Sequence, residues 1–108
     1  MGMRAQIKIE DTGVYLYTHW GSAELPLLLQ TALRSPAGKA RWGDPEYLAR
    51  IIFEAMTTNS ASKELGLGIG TEANGDLEYS PIVVNCQKCT ILTDNGLQTF
   101  TEFLETEY

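Results

Sequence analysis

The sequence predicts an α+β fold in which helices cover one face of an antiparallel sheet of about five strands. Short segments that alternate apolar and polar residues, typical of half-buried strands, lie near both ends of the chain. Between them, two segments carry apolar residues at the three- and four-residue spacing of amphipathic helices. The predicted order of elements is ββααβββα, and the turn sequences between strands favour hairpins and therefore antiparallel pairing.

The first two strands are predicted to form a hairpin. Ala5–Glu10 alternates apolar and polar residues, Asp11-Thr-Gly13 is turn sequence, and Val14–His19 alternates again. Because successive side chains of a strand point to opposite faces, the two tyrosines and the histidine of the second strand should share the face away from the core.

Two amphipathic helices are predicted to follow. Ser22 is a candidate N-cap for the first, which should end at Ser35-Pro36 because the residue before a proline is disfavoured in a helix. The second should begin at Asp44-Pro45, where a capping residue precedes a proline at the first helical position, and should run to about Thr57. The residues expected in the core are Ile7, Leu16, Leu28, Leu29, Ile51 and Ile52.

The second half is predicted to contain three strands and a terminal helix. After a polar linker at Thr57–Lys63, Asn74-Gly75 is a strong signal for a hairpin between the first two of these strands. Thr99-Phe-Thr-Glu102 matches a capping box that starts a helix ending near Glu105. The three predicted strands are Leu67–Thr71, Leu77–Asn85 and Cys89–Thr93.

Length and composition predict a single cytosolic domain over residues 1–108. The hydrophobic content of 44% is ordinary for a globular protein. No apolar run approaches the roughly 20 residues of a membrane span, and the start of the chain lacks the apolar segment of a signal peptide. We therefore expect neither a membrane partner nor export.

The distribution of charge points to a protein partner. The net charge is −6, but residues 1–63 carry a balance of +1, whereas residues 64–108 carry eight acids and Lys88 alone as a base. The chain therefore lacks the basic surface that non-specific nucleic-acid binding requires. An acidic surface fits a basic protein surface, although it can also serve solubility alone. The candidate contact residues are Glu72, Asp76, Glu78, Glu102, Glu105 and Glu107.

An alternative site combines aromatic and basic residues. Cations beside aromatic rings suit phosphate and base recognition, so a nucleotide pocket is the second hypothesis. Two other roles are open: the tryptophan between the helices can anchor the second helix in the core, and the single histidine can be a satisfied strand-end residue. The candidate residues are Tyr15, Tyr17, His19, Trp20, Arg34, Lys39, Arg41 and Trp42.

No motif predicts catalysis, a cofactor or a metal. Cys86-x-x-Cys89 with one distant histidine cannot supply the four ligands of a structural zinc site, so we expect ordinary cysteines, with a redox bridge or a metal shared across a dimer as alternatives. Gly66–Gly70 is glycine-rich, but a turn follows it instead of the helix of a phosphate loop. We predict no catalytic residue and no metal in the monomer.

Several short motifs resemble those of a family of small uncharacterised phage and prophage proteins. They are His19-Trp20-Gly21, Arg41-Trp42, Asp44 with Tyr47-Leu48-Ala49-Arg50, and Gly66-Leu-Gly-Ile69. The family pattern has an aspartate after His-Trp that is missing here, so any carboxylate role at that point is lost, and the cysteine pair is not part of the pattern. The resemblance implies an inhibitor of a host factor or of a defence system such as CRISPR, acting in the host cytosol.

Together these observations predict a non-enzymatic binding module that acts by protein contact through an acidic surface. A nucleotide-binding or nucleotide-sequestering protein is the second hypothesis, and a small hydrolase is the third.

Overall fold

The computed structural model describes residues 5–18, 25–59, 66–73 and 81–107, and these form an α+β fold. Within those ranges there are six strands and four helices. The strands are β1 (Ala5–Ile9), β2 (Val14–Thr18), β3 (Leu67–Gly70), β4 (Ile82–Asn85), β5 (Thr90–Thr93) and β6 (Gly96–Thr99). The helices are α1 (Leu25–Arg34), α2 (Pro36–Lys39), α3 (Pro45–Asn59) and α4 (Phe100–Glu105).

The sheet is mixed, with strand order β3-β2-β1-β4-β5-β6. All neighbouring pairs are antiparallel except β1 and β4, which run parallel with Ile7 opposite Ile82. The expectation of a purely antiparallel sheet of about five strands is therefore wrong in strand count and in this central pair. The physical reason lies in β4: Ile82–Val84 is a continuous apolar run without the alternation of an antiparallel strand, and such runs are typical of parallel, central strands.

The predicted hairpin around Asn74-Gly75 is also corrected. That dipeptide lies outside the described residues, but the strands on either side of it are not neighbours, because β3 pairs with β2 and β4 pairs with β1. The predicted strand Leu77–Asn85 contains Pro81, and a proline within a strand favours an edge or a bulge. In the structure β4 is central and begins one residue after the proline. Its missing N–H therefore costs the strand no ladder hydrogen bond.

Two elements were not predicted. The short helix α2 lies between the two predicted helices, and Ser35 caps it by accepting a hydrogen bond from the N–H of Gly38 at 3.0 Å. Strand β6 follows β5 through a tight turn at Asp94-Asn95. The sequence does contain a signal for this strand, because Asn95-Gly96 is a common dipeptide of hairpin turns. Gly96 adopts a φ of 111°, which favours glycine.

Helices α1, α3 and α4 cover one face of the sheet. Of the six predicted core residues, five are buried, and Leu28 is only half-buried, packed at the side of the core cluster. Helix α4 contributes Phe100 and Phe103, which are 1% and 0% exposed. The helical layer therefore extends to the edge of the sheet that carries β5 and β6.

Helices α1 and α2 meet at a contact that leaves no space for a side chain. A Cβ built on Gly38 would lie 1.8 Å from the carbonyl oxygen of Ala32, and the Ser35 hydroxyl donates a hydrogen bond to the same oxygen at 2.7 Å. The main chain of α2 can approach α1 so closely only because residue 38 is glycine. None of the helices among the described residues has the length and apolar character needed to cross a membrane.

Candidate binding surface

The face of the sheet away from the helices carries a row of paired side chains, which we call the open face. Along one line of the register, Tyr15 lies opposite Lys8, Lys8 opposite Val83, Val83 opposite Leu92, and Leu92 opposite Leu97. The two leucines at the β6 end are 43% and 67% exposed. Directly opposed side chains on one face form a continuous surface, so this row ends in an exposed apolar pair.

One part of the open face is covered. Gln6 in β1 is only 5% exposed, and its amide Nε2 donates a hydrogen bond to the carbonyl oxygen of Glu72 at 3.4 Å. The segment after β3 therefore passes over this part of the sheet. Toward β6 the exposure of the side chains rises, and within the described residues β6 has a sheet neighbour on one side only. The accessible region is thus the β5–β6 end.

Helix α4 folds back beside β6 on the helical side. It starts with the predicted capping box: the Thr99 hydroxyl accepts from the N–H of Glu102 at 3.1 Å, and the Glu102 carboxylate accepts from the N–H of Thr99 at 2.9 Å. After the helix, the Thr106 hydroxyl accepts a hydrogen bond from the amide of Gln98 in β6 at 2.9 Å. The two ends of α4 are therefore both tied to β6.

Helix α1 fixes the carboxyl end of α4. The buried amide of Gln30 donates to the carbonyl oxygens of Phe103 and Thr106 at 2.8 and 2.7 Å, and the Arg34 guanidinium donates to that of Leu104. The last carbonyls of a helix lack partners within it, so these contacts satisfy them. Gln30 and Arg34 act as positioning residues for α4.

The acids of the first half are mostly compensated. Glu10, Asp44 and Glu54 pair with Lys8, Arg41 and Arg50 at 3.3, 3.3 and 2.9 Å. The half-buried side chain of Lys8 also lies over the ring of Tyr15, and its hydrogen bond to Glu10 is the largest of the effects that raise the pKa of Lys8. These pairs leave this part of the surface close to neutral.

The acids of the β5–β6 turn and of α4 have no ion-pair partner among the described residues. Asp94 lies in the turn that starts β6, Glu102 and Glu105 lie on α4, and Glu107 follows it; all four are exposed. In the described part of the chain none of the four has an ion-pair partner, and Lys88 is the only base between residues 81 and 107. We call these four residues the acidic unit. It lies at the same end of the sheet as the exposed Leu92–Leu97 pair, with the acids of α4 on the helical side of β6 and the leucines on the open face.

The six residues predicted as an acidic surface do not all lie together. Glu102, Glu105 and Glu107 belong to the acidic unit, while the main chain of Glu72 lies over β1 on the open face, away from α4. Asp76 and Glu78 lie outside the described residues. Asp94, Leu92 and Leu97 were missed, although the Asn95-Gly96 turn could have revealed the strand that groups them.

The alternative aromatic and basic set is divided between the two faces of the sheet. Trp42 donates its indole N–H to the carbonyl of Leu33 at 3.0 Å and packs edge-on against Phe100, with ring centroids 5.3 Å apart. This is the anchoring role that the sequence left open. Tyr15 and Tyr17 lie on the opposite, open face.

The remaining candidates of that set lie on the helical side or outside the described residues. Arg34 binds the end of α4, as described above, and Lys39 is exposed at the end of α2. Arg41 pairs with Asp44 and lies over the ring of Tyr47, 4.5 Å from its centroid. His19 and Trp20 are outside the described residues, so their role in a pocket stays a prediction.

The two cysteines lie in the turn between β4 and β5. Asp11, in the turn between β1 and β2, accepts hydrogen bonds from the N–H groups of Cys86 and Gln87 at 2.7 and 3.1 Å. Cys86 is 2% exposed, and this burial, reinforced by the nearby Asp11 carboxylate, raises the pKa of its thiol to about 12. Cys89 is half-buried, with a φ of 54°.

We expect the two thiols to differ in reactivity. The thiolate is the nucleophile, and Cys86 is both buried and held in the thiol form, so iodoacetamide at pH 8 should modify Cys89 well before Cys86. Mass spectrometry of digested protein measures this, with the urea-unfolded protein as the control in which both react. Equal rates in the native protein would contradict it.

The raised pKa also predicts a pH dependence. A thiol whose pKa is higher in the folded state stabilises the fold below its ordinary value of 9.0, and this contribution is lost as the pH rises toward 12. Stability should therefore fall above pH 9 more steeply than in a Cys86→Ala variant.

Within the described residues, no group of three or more His, Cys, Asp or Glu side chains could hold a metal ion. A scan of protein-family models and searches of curated proteins and of solved structures found no match for this chain. The local geometry and chemistry of the residues therefore carry the functional argument.

Proposed function

We propose that this chain is a non-enzymatic binding module that acts by contact with a basic surface of another protein. The observation that carries the proposal is the acidic unit: four exposed carboxylates, without an ion-pair partner among the described residues, lie at the sheet end that carries the exposed pair Leu92 and Leu97. Protein interfaces usually combine apolar and polar contacts. Acids beside an apolar pair favour a basic partner over a neutral or acidic one.

The resemblance to small phage proteins narrows the proposed partner to a host factor or a defence protein. An inhibitor of this kind acts by occupying a functional surface, and a basic surface that binds nucleic acid is one that an acidic protein can cover. In this proposal the protein competes with nucleic acid for its partner and does not bind nucleic acid itself.

Charge reversal tests the proposal. Glu105→Lys with Glu107→Lys should slow association with the partner about tenfold at low salt, because complementary charge mainly accelerates encounter. Glu102 is left unchanged in this variant because its carboxylate also caps α4. Glu46→Lys with Glu72→Lys alters the net charge equally and is the matched control; both of its acids are exposed.

The measurement begins with affinity capture from a bacterial lysate and mass spectrometry, followed by association rates with the basic protein so identified. The wild-type rate should fall with added salt, as the Debye length shrinks from about 10 Å at 0.1 M to about 3 Å at 1 M. Trp20→Ala and Arg41→Ala should leave the rate nearly unchanged. Loss of activity in those two variants, with the acidic changes silent, would favour the nucleotide hypothesis instead.

A further inference from the structure

We propose that the exposed edge of β6 is the docking element of this surface, and that it takes an extended segment of the partner as an additional strand. This inference rests on the proposed function and adds the conformation and sequence pattern of the bound segment. An edge strand presents a row of unpaired main-chain N–H and C=O groups, which is a template for another strand. Within the described residues β6 is the edge of the sheet. The N–H groups of Gly96 and Gln98 face β5, and the N–H of Thr99 is bonded to the Glu102 carboxylate. The N–H and C=O of Leu97 are therefore the main-chain groups that this edge offers to another strand.

β6 is short, but it carries no charged side chain or proline that would block pairing. Proteins block exposed edges with charged side chains, prolines or bulges, whereas Gly96–Thr99 reads Gly-Leu-Gln-Thr, and its neighbour Thr90–Thr93 is also uncharged. Leu97 is 67% exposed in the middle of this edge, beside Leu92. β6 is therefore an uncharged edge with an exposed apolar residue, on a protein of net charge −6.

The two sides of β6 differ, and this difference sets the pattern of the bound strand. On the open face, Leu97 and Leu92 offer apolar contact. On the other side, Gln98 contacts Thr106, so the acids of α4 lie on that side. Because side chains of a strand alternate between faces, the segment should alternate apolar residues with lysine or arginine.

Charge decides between a partner and a second copy of this chain. Pairing of β6 with itself would bring two acidic units together, and like charges across paired strands are destabilising. A basic segment instead finds uncompensated acids at both ends of the edge, with Asp94 before β6 and Glu102 after it. The bound segment is therefore an apolar and basic strand of another protein.

A synthetic peptide tests the inference on the full-length protein. The probe is a capped nine-residue peptide that alternates lysine and valine, and the control is a peptide of the same composition with its lysines and valines in two separate blocks. We expect binding of the alternating peptide to shift the NMR signals of Gly96–Gln98 and to slow the amide hydrogen exchange of Leu97, whose N–H faces away from β5. The block peptide should bind about tenfold more weakly.

Two matched variants assign the contact. Leu97→Ala should weaken binding of the alternating peptide about tenfold, whereas Leu27→Ala, which truncates a leucine of 46% exposure on α1, should leave it unchanged. Backbone N-methylation of the peptide at the positions that face β6 should abolish binding, since it removes the pairing donors without changing charge.

The outcomes separate this inference from the proposed function. Equal binding of both peptides, sensitive to Glu105→Lys with Glu107→Lys but not to Leu97→Ala, would overturn the strand docking and leave the acidic contact in place. Binding that depends on Leu97 but not on the acids or on salt would support the edge and contradict the acidic contact. A concentration-dependent dimer in sedimentation, lost in Leu97→Ala, or failure of both peptides to bind, would overturn the choice of partner.

Discussion

Replacing Ile52 with alanine is expected to lower the free energy of unfolding by about 2–5 kcal/mol. Ile52 is 0% exposed in α3 and belongs to the core cluster between the helices and the sheet. Truncation removes buried apolar atoms and leaves a cavity that the packed surroundings fill only in part. For a domain of this size the loss is a large share of the total stability.

Urea denaturation monitored by circular dichroism measures the loss. The matched control is Ile69→Ala, which makes the same chemical change in β3 at a side chain that is 63% exposed, and it should cost less than about 1 kcal/mol. Similar losses for the two variants would show that the assignment of Ile52 to the core is wrong.

Replacing Gly38 with alanine is expected to destabilise the protein by about 1–3 kcal/mol, although Gly38 lies in a helix. Helix propensity alone predicts the opposite, since alanine in a helix is favoured over glycine by about 0.5–1 kcal/mol. The close approach decides the sign: the added methyl group would overlap the carbonyl oxygen of Ala32, and this is main chain that cannot rotate away. Helices α1 and α2 would have to separate.

Thermal and urea unfolding of Gly38→Ala check this prediction. Gly43→Ala is the control, because a Cβ at Gly43 meets nothing within 4 Å and its stability should change by no more than about 1 kcal/mol. A stabilised Gly38→Ala variant would mean that α1 and α2 are not packed as described. The loss should also leave the β6 edge intact, so that peptide binding survives in the variant.

The sequence predicted local structure better than it predicted partners in space. The alternation in β1 and β2 and the capping box at Thr99 are properties of a few consecutive residues, and all three were found. The pairing of β1 with β4 joins segments far apart in the chain, so no local pattern specifies it. The hairpin signal at Asn74-Gly75 identified a turn sequence but could not show that the flanking strands pair elsewhere.

The candidate site was predictable only as a distribution of charge. The excess of acids after residue 64 is visible in the sequence, but the separation of Glu72 from the acids of α4 depends on the sheet order. From the sequence, Trp42 and Arg34 could be assigned to recognition, because indole and guanidinium groups occur both in binding sites and in structural contacts. Their hydrogen bonds to Leu33 and Leu104 distinguish the two roles.

The parallel pairing of β1 with β4 has a consequence for how this chain folds. The β1–β2 and β5–β6 hairpins close short loops. Contact between Ile7 and Ile82 instead closes a loop that contains most of the chain. The entropy of closing a loop grows with its length, and such long-range contacts slow folding. The β1–β2 hairpin and the β4–β5–β6 meander should therefore form early, whereas the pairings of β1 with β4 and of β2 with β3 should form late. During synthesis, the apolar edge of β1 stays unpaired until β4 has left the ribosome.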